Sequence, residues 1–362
     1  MTNNTFRMVD SHIHQWDPHS TPRDWRLNLT PARLLPPVLD LGFKLLSRAD
    51  RESIADPVYL AKPYLPEQYR ADIDGLQIDT VVHVESGWRG RGEFASVDET
   101  RWIASLPFEP DGLRLGAIVA AADPTSPNFA QVLDAHLDAS PLVRGIRSIA
   151  AHHQDKAVRS WTSVYRLLVQ PRFLDGFAKL AERKLTFDTW VYAHDLPDVA
   201  ELAIRYPEVT IVLDNIGTPA GVFGPVGRST GRSEAERRAL LAAWRDDLAA
   251  VAQQPNVVVK LTGLALPVLG HRLPLRGTSV PVAELAERVA PLVDFALDQF
   301  GSTRTMWGSN SPMEKPVSDP RGVVEAIRSI IAERQNDRSA SEHDDVFGRT
   351  AERVYGLNAS RS

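Results

Sequence analysis

The chain has 362 residues, 43% of them hydrophobic and 24% charged, ordinary globular proportions that exclude disordered, collagen-like and coiled-coil architectures. Forty-one lysines and arginines against 46 aspartates and glutamates leave a net charge of −5 with no basic block, so nucleic acid is not an expected partner. With no cysteine in the chain, disulfides, thiolate metal sites and a cysteine nucleophile are excluded, and any metal must be held by histidines and carboxylates.

The N-terminus, MTNNTFRMVD, lacks an apolar signal segment, and the longest uncharged apolar stretch, near residues 115–122, is too short to cross a bilayer. A soluble cytoplasmic protein is the expectation. Eight short β-branched or apolar runs predict strands at 6–9, 80–84, 113–120, 143–146, 185–187, 209–213, 257–261 and 305–307. Between them, apolar residues recur every three or four positions at 129–137, 173–181, 196–206, 239–252, 282–300 and 323–331, which predicts helices. Alternating β and α elements call for a parallel sheet, and eight such units predict a closed (β/α)8 barrel, one domain over residues 1–362. No G-x-G-x-x-G or Walker pattern follows a strand, so nucleotide-cofactor folds are disfavoured.

Connections from helix into strand are short, at 183–184, 206–208, 253–256 and 301–304, whereas those leaving strands are long, at 18–66, 217–233 and 265–278. The long loops therefore gather at the C-terminal mouth of the barrel, where chemistry is assembled. The first of them, with eight prolines and a short helix expected at 33–48, reads as a structured lid.

The sharpest motif is Val9-Asp10-Ser11-His12-Ile13-His14-Gln15-Trp16-Asp17. Side chains two apart on a strand share a face, so His12 and His14 are expected to project together into the mouth, as half of a metal site or as a catalytic pair. With it go Val82-His83-Val84-Glu85, Arg144-Gly145-Ile146-Arg147, Phe187-Asp188 through His194, Ile211-Val212-Leu213-Asp214-Asn215-Ile216-Gly217-Thr218-Pro219, Asn256-Val257-Val258-Val259-Lys260-Leu261-Thr262-Gly263-Leu264 and Met306-Trp307-Gly308-Ser309-Asn310-Ser311-Pro312. In this order the chain resembles the amidohydrolase superfamily over nearly its whole length, specifically the lactonase-like branch called amidohydrolase family 2. The resemblance implies a TIM barrel that hydrolyses lactones of sugar-derived or aromatic-degradation origin, or in relatives decarboxylates.

Two positions depart from the family pattern: Asn215 stands where histidine is typical, and Asn310 where aspartate is frequent. An amide is a poorer ligand than imidazole or carboxylate and cannot take up a proton as aspartate can. His12, His14 and His194 remain as a three-histidine set with an open position, so a divalent metal such as zinc and metal-independent catalysis both stay open. Without a metal, water attack needs a positioned base. Glu85, placed on the same strand face as His83, is the first candidate, followed by Asp214 and Glu314, with His194 as an alternative base or a donor to the carbonyl oxygen. His12, His14 and Asn310 are expected to polarise the carbonyl or stabilise the oxyanion.

For substrate binding, Arg147 is the expected carboxylate clamp, since Arg144, three residues away, should not share its strand face. Trp16 and Trp88 are expected to wall the pocket, with Asn215 beside them. Lys260, inside an apolar strand run, calls for a buried carboxylate partner or contacts substrate. Opening of a lactone in a small carboxylate-bearing or hydroxylated compound is the leading reading. The alternatives are a metal-dependent decarboxylase on the same fold and a barrel that only binds a ligand. The expected partner is a small-molecule substrate, with no nucleic acid or membrane, and a homo-oligomer is compatible with the sequence.

Overall fold

A computed structural model describes residues 7–22, 36–109, 112–334 and 339–357. Eight parallel strands run in the order β1-β2-β3-β4-β5-β6-β7-β8: β1 (Met8–Ile13), β2 (Ile78–Val84), β3 (Arg114–Ala121), β4 (Val143–Ile149), β5 (Thr186–Trp190), β6 (Ile211–Asp214), β7 (Val257–Leu261) and β8 (Thr305–Trp307). The ring closes just beyond β8, where Ile13 bridges Ser311 in parallel. This is the barrel the alternating pattern predicts.

The segment between β1 and β2, expected to form a lid, holds α1 (Pro36–Lys44), α2 (Arg48–Ile54), α3 (Pro57–Ala61) and α4 (Pro66–Asp72) among the described residues. The single helix expected at 33–48 instead gives way between Lys44 and Arg48, where Ser47 caps α2 by accepting from the Asp50 N–H, and positions 33–35 lie outside the described residues. Outside the strands pack α5 (Ala95–Ala104), α6 (Phe129–Ala139), α7 (Pro171–Ala181), α8 (Leu196–Arg205), α9 (Glu234–Ala252), α10 (Val282–Phe300) and α11 (Pro320–Glu333), followed by α12 (Ser339–Asp344) and α13 (Thr350–Tyr355). In α7 the buried face is Phe173, Leu174, Phe177 and Leu180, the three-to-four spacing that turns one stripe of a helix toward a sheet. No helix among the described residues is long and apolar enough to cross a membrane.

Inside the barrel, the N-terminal end is filled by Val9, Val82, Val84, Ala117, Val119, Val212, Val258 and Met306, capped from below by Ala351, Tyr355 and Leu357. Alternation along β6 and β7 then turns Asp214 and Lys260 inward one layer higher, into the polar half of the interior. In β1 the register shifts between Asp10 and Ile13. This irregularity lets Val9 join the apolar plug while His12 still faces inward, since a bulge re-aims the side chains that follow it.

Candidate active site

Barrel closure brings together residues almost 300 positions apart. The Asn310 N–H donates to the His12 carbonyl at 2.8 Å and the His14 N–H to the Ser311 carbonyl at 2.9 Å. Asn310 adopts φ +49°, a left-handed conformation that asparagine tolerates better than most residues. The result sets His12 Nε2 3.2 Å from His14 Nε2, and His14 Nε2 3.1 Å from Asn310 Oδ1. His14 Nδ1 lies 2.9 Å from the Val84 carbonyl and 3.1 Å from that of Glu85, so this nitrogen carries the ring proton.

Beside the histidines a charge ladder climbs the interior. The Tyr355 hydroxyl donates to Asp188 Oδ2 at 2.7 Å, the same oxygen that Lys260 Nζ reaches at 2.7 Å. Lys260 Nζ also lies 3.3 Å from Asp214 Oδ1 and 3.3 Å from His12 Nδ1. Arg147 then spans two carboxylates, Nε donating to Asp214 Oδ2 at 2.8 Å and Nη1 to Glu85 Oε1 at 3.2 Å. Glu85 Oε2 accepts from the Gly87 N–H at 2.8 Å.

Burial pushes the His12 imidazolium down to about 3, with Asp214 opposing and Lys260 adding to the effect. Burial likewise holds His14 well below the usual range, helped by His12 and Arg147. Both rings are therefore neutral at physiological pH. Burial alone would raise the Asp214 carboxyl, but Lys260, His12 and Arg147 outweigh it and hold the group ionised far below the ordinary range.

A cavity of about 760 Å³ opens over this floor, lined at its base by His14, Glu85, Arg147, Asn215 and Asn310 and on its walls by Trp88, Trp161, Trp190 and Phe129. That size is typical of small-molecule sites. Several sequence expectations are corrected here. His194 does not join His12 and His14. The chain leaving β5 turns into a 3-10 segment, Ala193–Asp195, and the half-exposed ring goes to the His152 carbonyl at 2.7 Å, away from the cavity lining. Trp16 is buried behind the wall, its Nε1 donating to the Lys62 carbonyl at 3.1 Å, and it ties β1 to the lid by pairing with Tyr64. Lys260 is fully buried and outside the cavity, so its partners are carboxylates rather than substrate. Arg147 faces the cavity, but its Nε and Nη1 are already engaged by Asp214 and Glu85, which removes the unneutralised carboxylate clamp.

His83 and Glu85 do not share a face: His83 turns outward to Glu99 of α5 at 3.6 Å, while Glu85, just past the end of β2, reaches Arg147 in the mouth. Glu314 is buried beside the loop that leaves β7, accepting from the Gly263 and Ala265 N–H groups at 2.6 and 2.7 Å, and burial pushes its carboxyl up to about 7. Sequence reasoning missed Asp188 and Tyr355 as partners of Lys260. The signal was available in Lys260 itself, because a lysine in an apolar strand demands a counter-charge. Trp161, Trp190 and Arg159 carried no comparable signal.

A parallel eight-stranded barrel with imidazole, carboxylate and guanidinium groups gathered at the C-terminal ends of its strands defines a barrel hydrolase of the amidohydrolase type. The chain belongs to the amidohydrolase family, whose model matches residues 9–357. It is 27% identical over 300 residues to an L-fucono-1,5-lactonase of Burkholderia multivorans, spanning 82% of this chain and 88% of that one. A crystal structure of a Burkholderia multivorans amidohydrolase with bound HEPES is 25% identical, with a TM-score of 0.67 over 97% of this chain and 99% of that one. A second crystal form, with zinc bound, matches at 24% identity, the same TM-score of 0.67 and the same coverage of 97% and 99%.

The donors gathered on this floor decide what it could hold. Among the described residues, no three His, Asp, Glu or Cys side chains converge as a ligand group. What converges is two imidazoles and an amide oxygen. Both nitrogens of His14 face acceptors, and a neutral ring donates from only one of them. His12 Nδ1 lies 3.3 Å from Asp214 Oδ1, the carboxylate–histidine arrangement that backs metal-bound imidazoles. The donors therefore fit a divalent cation with open positions, held less firmly than by a set containing a carboxylate.

Proposed function

We propose that this protein opens a lactone ring in a small, hydroxylated compound by directing water onto the ring carbonyl. The observation that carries the reading is the juxtaposition of the Glu85 carboxylate, the His14–Asn310 pair and Arg147 on the floor of an open cavity. The L-fucono-1,5-lactonase relative supports the same reaction class.

Glu85 is the base. Its carboxylate faces the cavity, and the Arg147 and Gly87 donors fix its direction while leaving lone pairs for water. The proton of the attacking water passes to Glu85 as its oxygen bonds to the carbonyl carbon. Collapse of the tetrahedral intermediate breaks the ring C–O bond, and the departing oxygen takes the proton from Glu85, leaving a hydroxy acid. Asn310 and Arg147 line the side on which negative charge grows on the carbonyl oxygen. A divalent ion held by His12, His14 and Asn310 would supply polarisation of that carbonyl. Lys260, Asp188 and Tyr355 touch no substrate and hold Asp214 and His12 in place.

The test is acid release from a panel of five- and six-membered lactones, hydroxylated and plain, followed with a pH indicator before and after chelation. Turnover of at least one hydroxylated lactone above the buffer rate supports the reading. A chain that opens none of them overturns it.

A further inference from the structure

One wall of the cavity alternates cations and rings from the floor to the lid. Arg147 Cζ lies 5.9 Å from the Trp190 ring centroid. Trp190 and Trp161 have centroids 5.1 Å apart. Arg159 Cζ stacks 4.1 Å above Trp161, and Arg159 Nη1 donates to Asp50 Oδ1 at 3.1 Å on the lid helix α2. The Trp190 ring is pinned from behind, Nε1 donating to Thr218 Oγ1 at 2.7 Å, while the backbone that carries Trp161 is held by the Trp161 main-chain N–H donating to the Ala151 carbonyl at 2.8 Å and the Tyr192 hydroxyl donating to the Arg159 carbonyl at 2.8 Å.

Two properties of this shelf define what lies on it. Its cations are matched within the protein, Arg147 by Glu85 and Asp214 and Arg159 by Asp50, so an anionic group laid on the shelf meets no unneutralised shelf cation and would approach Glu85. The cavity lining also combines the serines Ser126 and Ser148 with indole surfaces that suit C–H groups, whereas the hydroxyls of Ser86, Ser96 and Ser160 are engaged by Glu99, His136 and His153. A ring with apolar faces and hydroxylated edges meets both.

We propose that the Trp161–Trp190 shelf is the specificity subsite for the part of the substrate remote from the reacting carbonyl, taking an uncharged polyhydroxylated ring, with the Asp50–Arg159 pair as a positioning device through which the lid sets Trp161. The assignment of a remote end rests on the lactone-opening reading of the floor, whereas the shelf itself is tested by binding alone.

The experiment compares, by calorimetry, the binding of D-glucono-1,5-lactam, which is hydroxylated and not hydrolysed, with that of δ-valerolactam, which lacks the hydroxyls. The native protein should prefer the hydroxylated lactam at least about tenfold, the scale of one or two hydrogen bonds made by hydroxyls that the shelf orients. In Trp161→Ala the preference should fall to within about twofold, while Trp161→Phe retains most of it. Asp50→Asn should lower it about threefold, with Asp50→Glu restoring it, and this pair carries the test if Trp161→Ala loses its near-ultraviolet circular dichroism. A native protein with no preference, or a Trp161→Ala protein that keeps it, overturns the shelf. Lost preference in Trp161→Ala, with no lactone opened by the native protein, supports the shelf and refutes the hydrolase reading instead.

Discussion

Replacing Lys260 by methionine removes the ammonium that reaches Asp188 at 2.7 Å and leaves that carboxylate with the hydroxyls of Tyr355, at 2.7 Å, and Thr186, at 3.4 Å. Asp214 is less affected, because Arg147 Nε still reaches it at 2.8 Å. All of these side chains are buried. Breaking a buried ion pair from one side costs about 3–5 kcal/mol, at least about a fifth of the roughly 5–15 kcal/mol that separates a folded domain from its unfolded chain. Urea unfolding at pH 7 should show a loss of that size in Lys260→Met. The double variant Lys260→Met/Asp188→Asn removes both charges and should recover at least about 2 kcal/mol, a coupling energy that a double-mutant cycle isolates.

The pH dependence has a definite sign. Burial already raises the Asp188 carboxyl above its ordinary value while Lys260 pulls it down, so losing Lys260 raises it further. A carboxyl raised in the folded state weighs against folding when ionised, and this penalty fades as pH falls toward the unfolded value, about 3.9. The gap between native protein and Lys260→Met should therefore narrow from pH 7 to about pH 4. A loss below about 1 kcal/mol at pH 7, or a gap that widens in acid, would refute the ladder as the support of the site.

Other outcomes follow from the same geometry. Burial holds the Glu314 carboxyl protonated up to about 7, against an ordinary value of 4.5, so the folded state binds the extra proton and stability falls as pH rises between those values, by about 3 kcal/mol in all. Thermal melts of Glu314→Gln against native protein across pH 4.5 to 7.5 should show this slope in the native protein alone; parallel curves would refute it. His194 lies outside the cavity lining, so His194→Ala should keep lactone kcat within about threefold and leave bound-metal stoichiometry unaltered in elemental analysis. Any metal should instead depart with His14→Ala, and retention in that variant would contradict the His12–His14–Asn310 assignment.

The barrel was legible in the sequence because parallel strands buried on both faces read as apolar runs. β7 and β8 have the very bounds the pattern predicts. β1 was placed too early because its second half, Asp10, Ser11 and His12, is polar yet buried. These groups are satisfied by partners far along the chain: Asp10 accepts from Tyr69 Oη at 2.8 Å and from the Ser309 N–H at 2.8 Å, and Ser11 donates to the Trp307 carbonyl at 2.7 Å. No local pattern announces such pairing. The His12–His14 spacing was readable because period-two alternation is local, whereas the position of His194 depended on a turn after β5 whose direction is set by packing. The shelf was unreadable for a further reason: Asp50 of α2 and the Arg159–Trp161 segment after β4 are about a hundred residues apart and only tertiary contact brings them together.

The most direct measurement of the central claim is the steady-state kcat of Glu85→Gln on the best hydroxylated lactone of the panel, with folding verified by circular dichroism. The glutamine keeps an acceptor for Arg147 Nη1 but cannot take the proton of water, so kcat should fall about 10²–10⁴-fold. A variant that turns over within threefold of the native rate would contradict the assignment of Glu85 as the base.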